Sequence, residues 1–144
     1  MSTDEDSLSA ALSSFGIADA ILEPLSGGLL NRVFRVESST GVFALKEYDS
    51  DALRFLDPQQ VCDAQQVARA HGLPAPTLLR TTDGGAFATE GGNVFTLAEF
   101  IEGKTYSVDA MPERAAYRSG VVLARLQRAL AFLPPGDAPT LWSK

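Results

Sequence analysis

The segment 25–48, LSGGLLNRVFRVESSTGVFALKEY, joins a pair of glycines to two runs rich in β-branched and aromatic residues. The first run is NRVFRVES and the second is VFALKEY, and the turn residues SSTG lie where they meet. Short runs of this composition, bounded by turn residues, are typical of a β-hairpin. The second strand carries a lysine, Lys46, after four apolar residues, and the position of this charge needs an explanation.

The sequence on both sides of the hairpin predicts further helices and strands. DSLSAALSSFG has apolar residues at helical spacing and a glycine stop, so it predicts an opening helix, and AILEPL predicts a strand. DPQQVCDAQQVARAHG places Pro58 at a helix-opening position and Gly72 just past the end, which predicts a helix of three to four turns.

The second half of the chain completes this pattern. TLLRTT, AFATEGG and VFTLAEFI predict two or three more strands, and MPERAAYRSGVVLARLQRALAFL predicts a long last helix. We therefore expect an α+β fold, in which a five-stranded antiparallel sheet has flanking helices and one helix is inserted after the third strand.

Composition excludes several classes of partner. The chain has 144 residues with 18 acidic and 12 basic side chains, a net charge of -6, which does not suit binding to a nucleic-acid backbone. A single cysteine and the acidic, polar start MSTDEDSLSA favour a reducing, cytoplasmic setting without a secretory signal. No run approaches the roughly 20 apolar residues that span a bilayer, so we expect no membrane partner.

The residues of the hairpin predict a nucleotide site. Gly27 and Gly28 lie in the turn before it, where the lack of side chains lets backbone N–H groups approach phosphates. Ala44 and Lys46 are two residues apart in a strand and therefore share one face of the sheet. The small alanine leaves room for a flat base, and the lysine supplies a positive charge for the phosphates.

Four segments, LSGGLLNRVFRV, FALKEY, HGLPAP and LAEFIEGKTYS, resemble the small lobe of the aminoglycoside phosphotransferase and choline kinase-like family, relatives of the protein kinases. The resemblance implies an N-terminal kinase-like lobe over residues 1–144, with the sheet in about 1–102 and the helix and tail after the hinge in about 103–144. It also implies that ATP is the cofactor. The implied nucleotide-binding residues are Gly27, Gly28 and Asn31 in the phosphate loop, Lys46 at the phosphates, Val33 and Ala44 at the adenine, and Glu99, Phe100 and Ile101 in the hinge.

The helix after the hairpin departs from the family pattern. Relatives pair the strand lysine with a glutamate on this helix, but DPQQVCDAQQVARAHG contains no glutamate. Asp63 is the nearest acidic candidate, and the sequence leaves open whether it pairs with Lys46.

The segments that carry acceptor chemistry in this fold are missing. Phosphoryl transfer uses a carboxylate that orients the acceptor hydroxyl and further ligands for Mg²⁺, supplied after the hinge by H-x-D and D-x-D or D-F-G motifs. The only histidine, His71, precedes the hinge, and the later aspartates Asp109 and Asp137 lie in no such motif. We therefore expect no catalytic residue in this chain and no activity from it alone, with Mg²⁺ and a small-molecule acceptor bound only in a longer chain.

Two alternatives remain open at this stage. The chain is either the nucleotide-binding lobe of a small-molecule phosphotransferase or a free-standing binding module that kept the lobe and lost catalysis. An unrelated α+β domain with the same strand and glycine pattern is a weaker third interpretation. The acceptor and the oligomeric state are not readable from the sequence, although apolar surface exposed on such a lobe would permit a homo-oligomer.

Overall fold

The computed structural model describes residues 3–26 and 31–133. Its elements are α1 (Thr3–Ser14), β1 (Ala20–Pro24), β2 (Arg32–Ser38), β3 (Gly41–Tyr48), α2 (Ser50–Leu53), α3 (Pro58–Ala70), β4 (Ala88–Glu90), β5 (Asn93–Glu99), a 3-10 turn (Val108–Ala110) and α4 (Glu113–Leu130).

The strands form one antiparallel sheet in the order β1-β2-β3-β5-β4, which confirms the expected five-stranded fold. The β2–β3 hairpin is in register from Arg32 opposite Glu47 to Ser38 opposite Gly41. Gly41 has a φ of 147°, a conformation that side-chain-bearing residues rarely adopt, and it closes the turn where the sequence placed it.

Two local expectations differ from the structure. TLLRTT does not form a strand, and only an isolated bridge joins Leu78 to Ala98. The segment leaves the sheet early because the Thr81 N–H donates to the Gly85 carbonyl and the Thr82 N–H donates to the Ser14 carbonyl, which ties it to the following turn and to α1. The short helix α2 was not expected; its cap is Asp49, whose carboxylate accepts a hydrogen bond from the Ala52 N–H.

The main core lies between α1 and one face of the sheet. The buried side chains come from α1 and its C-terminal end and from alternate positions of β2, β3 and β5, together with Ala88 of β4. They are Leu8, Ala11, Leu12, Phe15, Ile17, Phe34, Val36, Leu45, Ala88, Phe95 and Leu97. Because α1 covers this face, a ligand can reach the strands only from the opposite face or from an edge of the sheet.

The helix α3 begins and ends as the sequence predicts. The Asp57 side chain accepts from the Gln59 N–H, Pro58 occupies the first turn, and Gly72 follows the helix with a φ of 71°. The last turns of α4 pack on α3, where Ala129 joins Ala68 and Leu73 in a small apolar cluster.

The first turns of α4 have large apolar side chains on the surface. Tyr117 is 74% exposed and Leu123 is 55% exposed. The helix α4 is amphipathic, and an amphipathic helix usually packs its apolar face against other protein. Within residues 3–26 and 31–133, no helix is both long and apolar enough to cross a membrane.

Candidate functional site

The side chain of Lys46 lies on the face of the sheet that α1 does not cover. Leu45 is fully buried in the core under α1, and the period-two alternation of a strand places Ala44 and Lys46 on the other face. Lys46 is half-buried and lies opposite Val33 on β2 and Thr96 on β5. The lysine therefore does not interrupt the core, because it never points into it.

The Lys46 ammonium rests on a neighbouring aromatic ring. Its Nζ lies 4.9 Å from the ring centroid of Tyr48, which is two residues along β3 on the same face. Such a contact attracts the ammonium to the ring face without neutralising its charge. The charge remains available to a ligand anion.

Two alanines make a flat surface beside Lys46. Ala44 of β3 lies directly opposite Ala98 of β5, and both are on the face of Lys46. Neither side chain extends beyond Cβ, so a planar ring can approach this part of the sheet closely. Sequence reasoning named Ala44 but missed Ala98 and its neighbour Thr96; the alternation of VFTLAEF was the available signal, but the register with β3 was needed to use it.

The glycine turn can be described only at its two ends, residues 25–26 and Asn31. Gly27 and Gly28 lie outside the described residues. Asn31 follows the turn, and its Oδ1 atom is buried without a hydrogen-bond partner among residues 3–26 and 31–133. Buried polar atoms are normally paired, so an unpaired acceptor at this position is suited to a donor from a ligand.

The residues expected to form the hinge follow the end of β5. The Glu99 N–H donates to the Thr77 carbonyl at 2.9 Å, and the Phe100 N–H donates to the Val42 carbonyl at 3.3 Å. Ile101 is exposed, and within the described ranges its N–H has no main-chain acceptor. The chain thus leaves the sheet at Phe100, beside Ala98.

Hydrogen bonds from Thr77 also hold the Glu99 side chain. The Thr77 N–H donates to the Glu99 carboxylate at 3.3 Å. The hydrogen bond from the Thr77 side chain, followed by that from its backbone, lowers the pKa of Glu99 below its ordinary value. The carboxylate of Glu99 is therefore engaged with the adjacent chain segment.

Asp63 does not form an ion pair with Lys46 in the described part of the chain. Its carboxylate instead accepts a hydrogen bond from Gln59 one turn earlier on α3, at 2.8 Å. Among residues 3–26 and 31–133, no three His, Cys, Asp or Glu side chains group closely enough to hold a metal ion.

Arg35 is a charged residue of the same face that sequence reasoning missed. It lies on β2 directly opposite Ala44, and its guanidinium is over the Phe100 ring. Nothing in the local pattern of β2 distinguishes it from an ordinary surface arginine, because the contact joins residues 65 positions apart in the sequence.

A five-stranded antiparallel sheet with an inserted helix and an internal lysine on its open face is the small-lobe architecture of the kinase-like phosphotransferases. The family model described as APH, phosphotransferase enzyme family, matches residues 21–144. The chain belongs to this family.

The solved structures that share the fold include two enzymes. A crystal structure of spectinomycin phosphotransferase, APH(9)-Ia, in complex with ADP and spectinomycin has a TM-score of 0.64 and 11% identity, covering 90% of this chain and 38% of that chain. A structure of the microcompartment-associated aminopropanol kinase has a TM-score of 0.70 and 16% identity, covering 92% of this chain and 42% of that chain. The chain therefore spans less than half the length of either protein. No curated protein matches its sequence significantly.

Proposed function

We propose that this chain is the nucleotide-binding N-terminal lobe of an ATP-dependent small-molecule phosphotransferase. One observation carries the proposal: Lys46 and the Ala44–Ala98 surface lie side by side on the sheet face that α1 leaves open. The family of the chain supports it, as does the ADP bound to one of the proteins that share its fold.

The residues present suit the two ends of a nucleotide. The Ala44–Ala98 surface, with Val33 beside it, accepts the flat adenine ring. In the hinge segment 99–101, the Ile101 N–H has no main-chain acceptor within the described ranges and can donate to the edge of the ring. The Lys46 ammonium binds the phosphates, and in this proposal Gly27, Gly28 and Asn31 contribute to phosphate binding as well. Bound ATP supplies the phosphoryl group, and the residues of this lobe bind and orient it.

Acceptor binding, Mg²⁺ coordination and catalysis belong to a second lobe in this proposal. The exposed apolar side chains on the first turns of α4, Tyr117 and Leu123 among them, support it because such residues are normally covered by protein. Asp63 is a weak candidate for a partner of Lys46, since it is bonded to Gln59. We place the protein in the cytoplasm, on the grounds of its one buried free cysteine.

The test compares two lysines whose ammonium groups each lie over an aromatic ring. The Lys46 ammonium lies 4.9 Å from the Tyr48 ring centroid, and the Lys104 ammonium lies 5.3 Å from that of Tyr106. Binding of ATP to the 144-residue chain is measured by NMR titration for the wild type, Lys46→Ala and Lys104→Ala. A charge-assisted contact contributes about 1.5–3 kcal/mol, so Lys46→Ala should weaken ATP binding roughly tenfold to a hundredfold.

The control variant and the melting temperature make the result interpretable. Lys104→Ala should bind ATP as the wild type does, and neither variant should change the melting temperature by more than about 2 °C, since a lone surface charge contributes little to folding. Unchanged ATP binding by Lys46→Ala would contradict the proposal. A wild-type chain without ATP affinity would favour an interaction module or an unrelated domain.

A further inference from the structure

Arg35 connects the strand β2 to the hinge. Its Cζ atom lies 5.2 Å from the centroid of the Phe100 ring, and Phe100 is the first residue after β5. The Arg35 side chain is only 23% exposed, and its guanidinium pairs with the Glu37 carboxylate. The guanidinium therefore lies over the Phe100 ring at the start of the hinge segment and also pairs with a carboxylate of its own strand.

The charges around Arg35 lie on both sides of this contact. The hydrogen bond from the Arg35 guanidinium to Glu37 raises the pKa of Arg35, and the negative charges of Glu37, Glu102 and Glu23 act in the same direction. Glu102 belongs to the segment after the hinge, whereas Glu37 and Glu23 belong to β2 and β1. The Arg35 guanidinium thus attracts carboxylates of the sheet and a carboxylate of the segment after the hinge.

The hinge has few other attachments to the sheet. After Glu99, the Phe100 N–H to Val42 carbonyl bond, at 3.3 Å, is the last main-chain hydrogen bond from this segment to β3 in the described part of the chain. Residues 101–107 are exposed and have no regular secondary structure. A side-chain contact at Phe100 therefore has a large effect on where the hinge main chain lies.

We propose that Arg35 is a positioning residue for nucleotide binding, which holds Phe100 so that the main chain at 99–101 stands beside the Ala44–Ala98 surface where a purine base binds. The inference rests on the proposed function. The inference assigns Arg35 to the base and not to the phosphates. Arg35 lies opposite Ala44, whereas Lys46 lies two residues further along β3, opposite Val33. The pair with Glu37 contributes little to this positioning, since Glu37 is 50% exposed and exposed ion pairs are weak.

The first experiment needs no ligand. Amide hydrogen exchange is followed by NMR in the 144-residue chain for the wild type, Arg35→Ala, and Glu37→Gln as the matched control. Arg35→Ala should speed exchange of the Phe100 amide by about tenfold and leave the buried Phe95 amide unchanged, whereas Glu37→Gln should resemble the wild type. Unchanged exchange at Phe100 in Arg35→Ala would overturn the inference, and so would an equal increase in both variants.

The second experiment separates the two ends of the nucleotide by using adenosine and inorganic tripolyphosphate as probes. Arg35→Ala and Phe100→Leu should each weaken adenosine binding at least fivefold, and the double variant should be no weaker than either single one, because both remove one contact. Tripolyphosphate binding should stay unchanged in these variants and fall in Lys46→Ala.

The outcomes separate this inference from the proposed function. Wild-type adenosine affinity in Arg35→Ala would overturn the inference and leave the proposed function standing. Additive losses in the double variant would also overturn it. A wild-type chain that binds neither probe would contradict the proposed function and the nucleotide role of Arg35, while the exchange experiment would still decide whether Arg35 holds Phe100.

Discussion

The buried carboxylate of Glu47 pairs with Arg32 across the β2–β3 hairpin, with 2.6 Å between the Arg32 guanidinium and Oε2. Glu47 is 3% exposed, and its second oxygen accepts a hydrogen bond from the Asn93 amide at 2.6 Å. Because successive side chains of a strand point to opposite faces, Lys46 and Glu47 send opposite charges to opposite sides of the sheet. One strand therefore carries a structural carboxylate and a candidate phosphate-binding ammonium next to each other.

Arg32→Ala should destabilise the protein through this carboxylate. Within the described part of the chain, the substitution leaves the buried Glu47 with the Asn93 amide as its one side-chain partner, and an incompletely paired buried charge is costly. We expect the free energy of unfolding to fall by about 1–3 kcal/mol. The loss is smaller than for a fully buried ion pair because the Arg32 side chain is 50% exposed. Urea denaturation followed by circular dichroism measures it.

The control for Arg32→Ala is Arg54→Ala. Arg54 is 4.0 Å from Asp51 in a highly exposed pair, which predicts a change of less than about 0.5 kcal/mol. Equal effects of the two substitutions would show that the burial of Glu47 does not require Arg32.

The 144-residue chain should have no phosphotransferase turnover. Orientation of the acceptor and neutralisation of charge by metal ions supply most of the rate in phosphoryl transfer, and we assign both to a second lobe. A coupled assay for ADP release, with ATP, Mg²⁺ and amine- or hydroxyl-bearing acceptors, should give the rate of a protein-free blank. A two-lobed phosphotransferase of the family serves as the positive control. Acceptor-dependent ADP release above the blank would place catalytic groups in this chain.

Glu99 should make the protein less stable in acid. Its folded-state pKa is lowered by Thr77, so its stabilising contribution is complete above the unfolded pKa, about 4.3, and is lost as the pH falls through the lower folded value. Glu99→Gln should melt below the wild type at about pH 6, and the difference should vanish as the pH falls through the lowered folded-state pKa of Glu99.

The control for Glu99→Gln is Asp19→Asn, which changes an exposed carboxylate in the turn between α1 and β1. The difference in melting temperature between Asp19→Asn and the wild type should not decrease with falling pH as it does for Glu99→Gln. A constant gap for Glu99→Gln across the acid range would show that the Thr77 hydrogen bonds do not depend on the charge of Glu99.

Cys62 should be unreactive in the folded protein. Its thiol is fully buried, with Sγ 3.8 Å from the Ala86 carbonyl oxygen, and burial followed by the negative charge of Asp63 raises the pKa of Cys62. Since the thiolate is the reactive species, modification by a chromogenic disulfide reagent at about pH 8 should be at least about a hundredfold slower than in urea. Fast modification of the native chain would show that the packing of α3 opens readily.

Much of the fold could be predicted from the sequence because local sequence signals and tertiary packing favour the same elements. The turn SSTG between two β-rich runs and the Pro58 and Gly72 boundaries of α3 are local signals, and the structure confirms both elements. The composition of TLLRTT suits a strand, and its first residues do bond to β5. The Thr81 and Thr82 N–H groups instead donate to the Gly85 and Ser14 carbonyls, so the second half of the segment leaves β5 and no strand forms. The residues of the candidate site stay predictions from sequence, and their positions relative to one another come from the register of the sheet.

The sequence by itself determined the α+β class, the hairpin and the shared face of Ala44 and Lys46, because a period of two residues needs only neighbours in the chain. Tertiary structure alone decided that Ala98 stands beside Ala44, that Glu47 is buried against Arg32 and Asn93, and that Arg35 reaches Phe100. Each of these relationships depends on how β2, β3 and β5 align, which follows from the burial of the whole apolar face under α1. No local pattern contains that alignment.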